Sequence, residues 1–140
     1  MDYSNKNSEY RILVVDDEKE ILEIILDLLQ AEGYQCLSAH DGLEASQILE
    51  KEEIDLLISD FRMPRMDGNE LLKWCREKGK HFPVIFITGN PELLEKEKYS
   101  LQDCCAALLH KPIAFDVIVE AIDAARTRNH QWECHRPFIP

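Results

Sequence analysis

Five short apolar runs, each closed by a polar residue and mostly separated by segments of helical period, constrain this chain more than any other feature. The first run, Ile12 to Val15, stops at Asp16 and Asp17. Glu18 to Glu32 then carries Ile21, Ile25, Leu28 and Leu29 at helical spacing, with Gly33 where a helix C-cap belongs. Tyr34 to Ala39 is a weaker, partly alternating run that suits a sheet edge, and Asp41 is placed to cap a helix reaching Lys51. Ile54 to Ser59 is ended by Asp60. Asp67 and Glu70 have capping-box spacing before a helix with Leu71, Leu72, Trp74 and Cys75, closed by Gly79. Val84 to Ile87 is β-branched and aromatic and ends at Thr88. Asn90 and Pro91 predict the start of a charged helix over Glu92 to Tyr99. Ala106 to Leu109 ends at His110, Lys111 and Pro112, and a last helix carries Phe115, Ile118, Val119, Ile122 and Ala125.

Such alternation predicts an α/β domain: a three-layer (βα)5 doubly wound parallel sheet, flavodoxin-like, with strand order 2-1-3-4-5. The chain of 140 residues, 45% hydrophobic and 31% charged, has the balance of one globular domain. Residues 1–10 read as a flexible leader, 11–128 as the domain, and 129–140 as a tail with no output domain, the stretch from Arg126 onward being locally basic through Arg126, Arg128, His130, His135 and Arg136. Sixteen Lys and Arg against 27 Asp and Glu give a formal charge of -11, which disfavours direct nucleic-acid binding and favours cations. The five cysteines form no CxxC pair and read as reduced thiols of a cytoplasmic protein. No apolar run approaches the ~20 residues of a membrane span.

In a parallel sheet all strand ends of one sense share an edge, and ligands bind where the strand order reverses, here between strands one and three. Asp16, Asp17 and Asp60 therefore converge there, with Thr88 and Lys111 from the neighbouring strands. Crowded carboxylates repel and need compensation. A hard divalent cation, Mg²⁺ or Mn²⁺, together with Lys111 provides it. Asp60 is then placed as a nucleophile towards phosphorus, while Thr88 and Lys111 are placed to steady charge on phosphoryl oxygens. Taken singly, each of these residues has a plainer reading. An Asp after a strand is about as often a turn former, and a lone Lys is usually just solvated. The joint placement of all five favours the chemical reading.

LVVDDE at Leu13 to Glu18, LISDFRMPRMDG at Leu57 to Gly68, FITG at Phe86 to Gly89 and HKP at His110 to Pro112 resemble the receiver domain of bacterial response regulators, the CheY-like family. The likeness covers about Arg11 to Arg128. It implies that Asp60 accepts a phosphoryl group from a sensor histidine kinase or phosphotransfer protein, and that the chain is a switch rather than an enzyme. It implies that Asp17, Asp60 and the backbone carbonyl of Arg62 bind Mg²⁺, Asp16 acting through a water. It also implies that Thr88 and Lys111 contact the phosphoryl oxygens, and that the Lys111–Pro112 bond is cis. Thr88 and Leu108 occupy the switch positions, where many members carry Tyr or Phe in place of Leu108. The output is expected to be a contact with an unknown downstream protein, through the face of the fourth helix, fifth strand and fifth helix.

Rival readings are a pseudo-receiver without phosphorylation, a haloacid-dehalogenase-type phosphatase and a flavin-binding module. Arg62 stands where such a phosphatase carries its second Asp. There is no GxGxxG and no P-loop, and an acidic crevice suits a flavin phosphate badly.

Overall fold

The computed structural model describes residues 7–89 and 106–127. Its elements are β1 (Arg11–Val15), α1 (Lys19–Ala31), β2 (Gln35–Ala39), α2 (Gly42–Lys51), β3 (Leu56–Asp60), α3 (Gly68–Glu77), β4 (Val84–Thr88), β5 (Ala106–His110) and α4 (Phe115–Thr127). The helix expected over Glu92 to Tyr99 lies outside the described residues, so α4 is the helix read as the fifth from the sequence. All strand pairs are parallel and the order is β2-β1-β3-β4-β5, as expected.

The two faces of the sheet follow from strand alternation. Ile12, Val14, Leu56, Ile58, Ile85 and Ile87 face α1 and α4, where Leu22, Ile25, Leu29, Ile118 and Ile122 close one core. Leu13, Val15, Leu57, Val84 and Phe86 face α2 and α3, where Ala45, Leu49, Leu71 and Cys75 close the other. The sheet is thus covered on both sides, which explains why β3 and β4 are buried along their whole length. Each fully buried Ile or Leu contributes about 1.5–3 kcal/mol relative to exposure.

The helix caps match their sequence signals. Asp41 accepts from Glu44 N at 2.8 Å at the start of α2. Asp67 and Glu70 form the reciprocal capping box of α3. Gly33 and Gly79 take positive φ just past α1 and α3.

Two details differ from expectation. β3 runs from Leu56 to Asp60 rather than Ile54 to Ser59, because Asp55 is engaged before the strand: its N donates to Arg11 O and its carboxylate accepts from Arg11 N, both at 2.8 Å. Asn7 and Tyr10, assigned to the leader, are also engaged. Asn7 Nδ2 donates to Glu32 O at 2.5 Å, and Arg126 of α4 donates to Asn7 Oδ1 and to Tyr34 Oη while stacking on the Tyr10 ring.

Gly68 sets how closely α3 starts against β3. A Cβ there would lie 2.8 Å from the Phe86 ring, 2.9 Å from Asp60 O and 3.1 Å from Phe61 Cα. Gly68→Ala is expected to destabilise the fold by about 1–3 kcal/mol through overpacking, read by urea unfolding. An unchanged midpoint would contradict this packing.

Candidate functional site: an acidic pocket at the switch point

Asp16 follows β1 and Asp60 ends β3, and those two strands are adjacent at the point where the strand order reverses. Asp16, Asp17 and Asp60 each offer a carboxylate oxygen, and these oxygens lie within 4.8 Å of one another. Asp16 and Asp60 are buried, Asp17 exposed. Lys111 follows β5 and is fixed by its backbone N donating to Thr88 O at 2.8 Å. Its Nζ donates to Asp60 Oδ2 at 3.1 Å and sits 3.5 Å from Asp16 Oδ2. Thr88 is buried at the end of β4, and the Lys111–Pro112 bond is cis.

The carboxylates are unequally satisfied. Asp16 Oδ1 accepts from Glu18 N at 2.8 Å, whereas buried Asp16 Oδ2 has no hydrogen-bond partner. Asp60 Oδ1 has only a long bond from Arg62 N, 3.3 Å. Burial, and then the charge of Asp16, push the Asp60 carboxyl up to about 6, against the pull of Lys111 and the Arg62 N–H. Burial likewise raises Asp16, against the Glu18 N–H and Lys111. Burial draws Lys111 down, but Asp60, Asp16 and Glu18 outweigh it and hold the amine above its ordinary value.

This donor set fits a hard cation. A buried carboxylate oxygen with no hydrogen bond, only the Lys111 ion pair at 3.5 Å, and two further carboxylates within reach offer oxygen ligands only, the preference of Mg²⁺. One lysine shared among several acids leaves net negative charge in the pocket.

The sequence pattern placed Asp16, Asp17, Asp60, Thr88 and Lys111 along one sheet edge, and they lie there. Arg62 is exposed beyond β3, with its N–H on Asp60. Leu108 is half-buried against the α2/α3 core and pairs in register with Phe86. Glu18 was not singled out, yet its Oε1 lies 3.5 Å from Lys111 Nζ. Its signal was simply a third acid following Asp16 and Asp17.

The model of the response regulator receiver domain matches residues 12–123. The chain is 37% identical over 127 residues to the sensor histidine kinase RcsC of Salmonella typhimurium, covering 89% of this chain and 13% of that protein. The chain thus spans only a small part of the RcsC relatives it matches. It is 30% identical to the polar-differentiation response regulator DivK of Brucella ovis, covering 79% of this chain and 91% of that one. Among solved structures it is similar to the response regulator TrrA of Thermotoga maritima in complex with Mg(2+)-BeF. That similarity has a TM-score of 0.73 and 32% identity, over 83% of this chain and 98% of the other. A receiver domain from Clostridium thermocellum gives a TM-score of 0.76 at 30% identity, over 87% and 98%. Sequence, fold and pocket agree: the chain belongs to the response regulator receiver domain family.

Proposed function

We propose that Asp60 is the phosphoacceptor of a two-component phosphorelay, receiving its phosphoryl group from a histidine kinase or phosphotransfer protein. Receiver domains are phosphoacceptor switches of this kind and bind Mg²⁺ at an acidic pocket. The observation that carries the reading to this chain is the convergence of Asp16, Asp17 and Asp60 within 4.8 Å, with Lys111 Nζ 3.1 Å from Asp60.

Asp17, Asp60 and the Arg62 carbonyl would hold Mg²⁺ or Mn²⁺, with Asp16 acting through a water. Bound there, the ion would neutralise charge on the oxygens around phosphorus. An Asp60 carboxylate oxygen attacks the phosphorus of the donor's phosphohistidine; the O–P bond forms as the N–P bond breaks, the donor imidazole leaves with the electron pair, and Asp60 is left as an acyl phosphate. Lys111 leaves its ion pair with Asp60 for a phosphoryl oxygen, and the Thr88 hydroxyl donates to another. Movement at Thr88, with Leu108 two residues back along the β4–β5 pair opposite Phe86, would alter binding of a downstream protein. Leu108 has no ring to turn inward, so the relay here rests on Thr88 and aliphatic packing. On this reading residues 11–128 form the receiver, with Asn7 and Tyr10 fastened to it, and the protein is cytoplasmic.

Beryllofluoride with Mg²⁺ tests this reading by thermal unfolding. Wild type is expected to be stabilised by the pair together and less by Mg²⁺ alone, whereas Asp60→Asn gains nothing from beryllofluoride. Asp17→Asn is expected to weaken Mg²⁺ at least tenfold, as removal of a charged ligand from a small site should. Wild type indifferent to both additions would refute the proposal.

Arg62 is two residues beyond Asp60 and exposed. Its long cationic side chain is expected to shield the acyl phosphate, so that Arg62→Ala loses its phosphoryl group several-fold faster, on the order of one charged contact. Equal dephosphorylation rates would remove Arg62 from this role.

A further inference from the structure

Arg65 is the one described non-glycine residue with positive φ, 68°. A side chain in that conformation is strained, so something must hold it there. Its guanidinium supplies the hold: Nε donates to Asp41 Oδ2 at 2.9 Å, and Nη2 reaches the same oxygen. Asp41 is buried, and its other oxygen already caps α2. Burial would raise the Asp41 carboxyl, but the Glu44 N–H and Arg65 hold it below its ordinary value.

A second fastening lies beside the first. Gly42 N donates to Met66 O at 3.1 Å, and a Cβ on Gly42 would collide with Met66 O and lie 2.8 Å from Met66 Cβ. The loop between β3 and α3 is thus seated on the N-terminus of α2, at Arg65 and Met66. Its ends are tied by Phe61 N to Ile87 O and by Gly68 N to Phe61 O. Between these points runs Arg62, whose N–H meets Asp60 and whose carbonyl is the proposed metal ligand.

We propose that Arg65 and Asp41 act together as a positioning pair for the metal site, holding the β3–α3 loop so that the Arg62 backbone faces Asp60. The pair touches no reacting atom. This inference rests on the metal-binding reading above. It explains why a residue type ill-suited to positive φ occupies that position, and why α2 begins with a buried acid followed by a glycine.

The test uses the full chain and three variants. Arg65→Gly removes the guanidinium at a φ that glycine adopts freely, so folding is retained. Asp41→Asn removes the charge but keeps a good N-cap. Arg65→Lys keeps a cation. Mg²⁺ affinity is measured by calorimetry, and amide exchange at Gly42 and Met66 is followed in metal-free protein. Arg65→Gly and Asp41→Asn are each expected to bind Mg²⁺ about three- to tenfold more weakly, the double variant no more weakly than either, and Arg65→Lys to recover most of the loss. Exchange at the two amides should quicken in Arg65→Gly while the melting temperature stays near that of wild type. Wild-type Mg²⁺ affinity in either single variant, or losses that simply add, would overturn the pairing. If wild type itself binds no Mg²⁺, the metal-binding reading falls and the inference with it; the exchange data then still report separately on whether the loop is clamped.

Discussion

Asp60→Asn should lose all Mg²⁺-dependent phosphorylation and yet be more stable than wild type when metal is absent at neutral pH. The first half follows from the proposed role of Asp60, since the amide of Asn offers no carboxylate nucleophile. The second follows from burial: Asp60 is 6% exposed and shares its pocket with Asp16, so its charge is held at a cost. Its carboxyl moves from an ordinary 3.8 to about 6. The folded protein therefore binds this proton more tightly than the unfolded chain does. Protonated Asp60 contributes stability that is fully present below pH 3.8 and is lost as pH rises through about 6. Asn carries no such dependence. The difference between variant and wild type should be small near pH 4 and level off above about pH 7. The displaced titration sets a ceiling of about 3 kcal/mol, and the variant also loses the charge partner of Lys111, so about 1–3 kcal/mol is expected. Urea unfolding in EDTA across that pH range measures it. A variant less stable than wild type at pH 7.5 would mean that Lys111 compensates Asp60 fully without a cation.

The second large effect is expected at Lys111, whose side chain is 18% exposed and whose amine lies against Asp16, Glu18 and Asp60. Lys111→Met keeps the aliphatic stem and removes the only amine those acids share among the described residues. Two buried carboxylates are then left uncompensated. Metal-free Lys111→Met should be destabilised by about 3 kcal/mol at pH 7.5, the usual consequence of breaking a buried pair from one side. Protonation of Asp60 limits the loss, so it should shrink as pH falls towards 5. Mg²⁺ should restore much of the stability without restoring phosphoryl uptake, since the ion replaces the charge but not the donor to the phosphoryl oxygen. In the Asp60→Asn background the same substitution should cost clearly less, because one of the stranded charges is gone. Equal losses in the two backgrounds would contradict the coupling of Lys111 to Asp60.

The architecture and the acidic pocket were legible because both depend on local signals read against a topological rule. Apolar runs ending at Asp16, Asp60, Thr88 and His110 located four strand ends to within a residue. Capping residues Asp41 and Asp67 gave two helix starts, and the reversal of strand order brought Asp16 beside Asp60. What could not be read depends on contacts distant in sequence that carry no periodic signature. Arg126 meets Asn7 and Tyr34 across the foot of the sheet, which ties down residues that look like polar leader. Asp55 is drawn out of its apolar run by Arg11. Arg65 is not singled out by the sequence, since neither its positive φ nor its partner Asp41, 24 positions earlier, follows from its neighbours. The unequal satisfaction of the carboxylates was also invisible. Spacing brings Asp16 to the pocket, but only the folded geometry leaves one of its oxygens without a donor.

Intact-mass measurement after incubation with acetyl phosphate tests the role of Asp60 most directly. Wild type with Mg²⁺ should gain the mass of one phosphoryl group, lose it on standing, and gain none in EDTA; Asp60→Asn should gain none under any condition. No gain by wild type, where a control receiver domain is labelled in parallel, or an equal gain by Asp60→Asn, would contradict Asp60 as the phosphoacceptor.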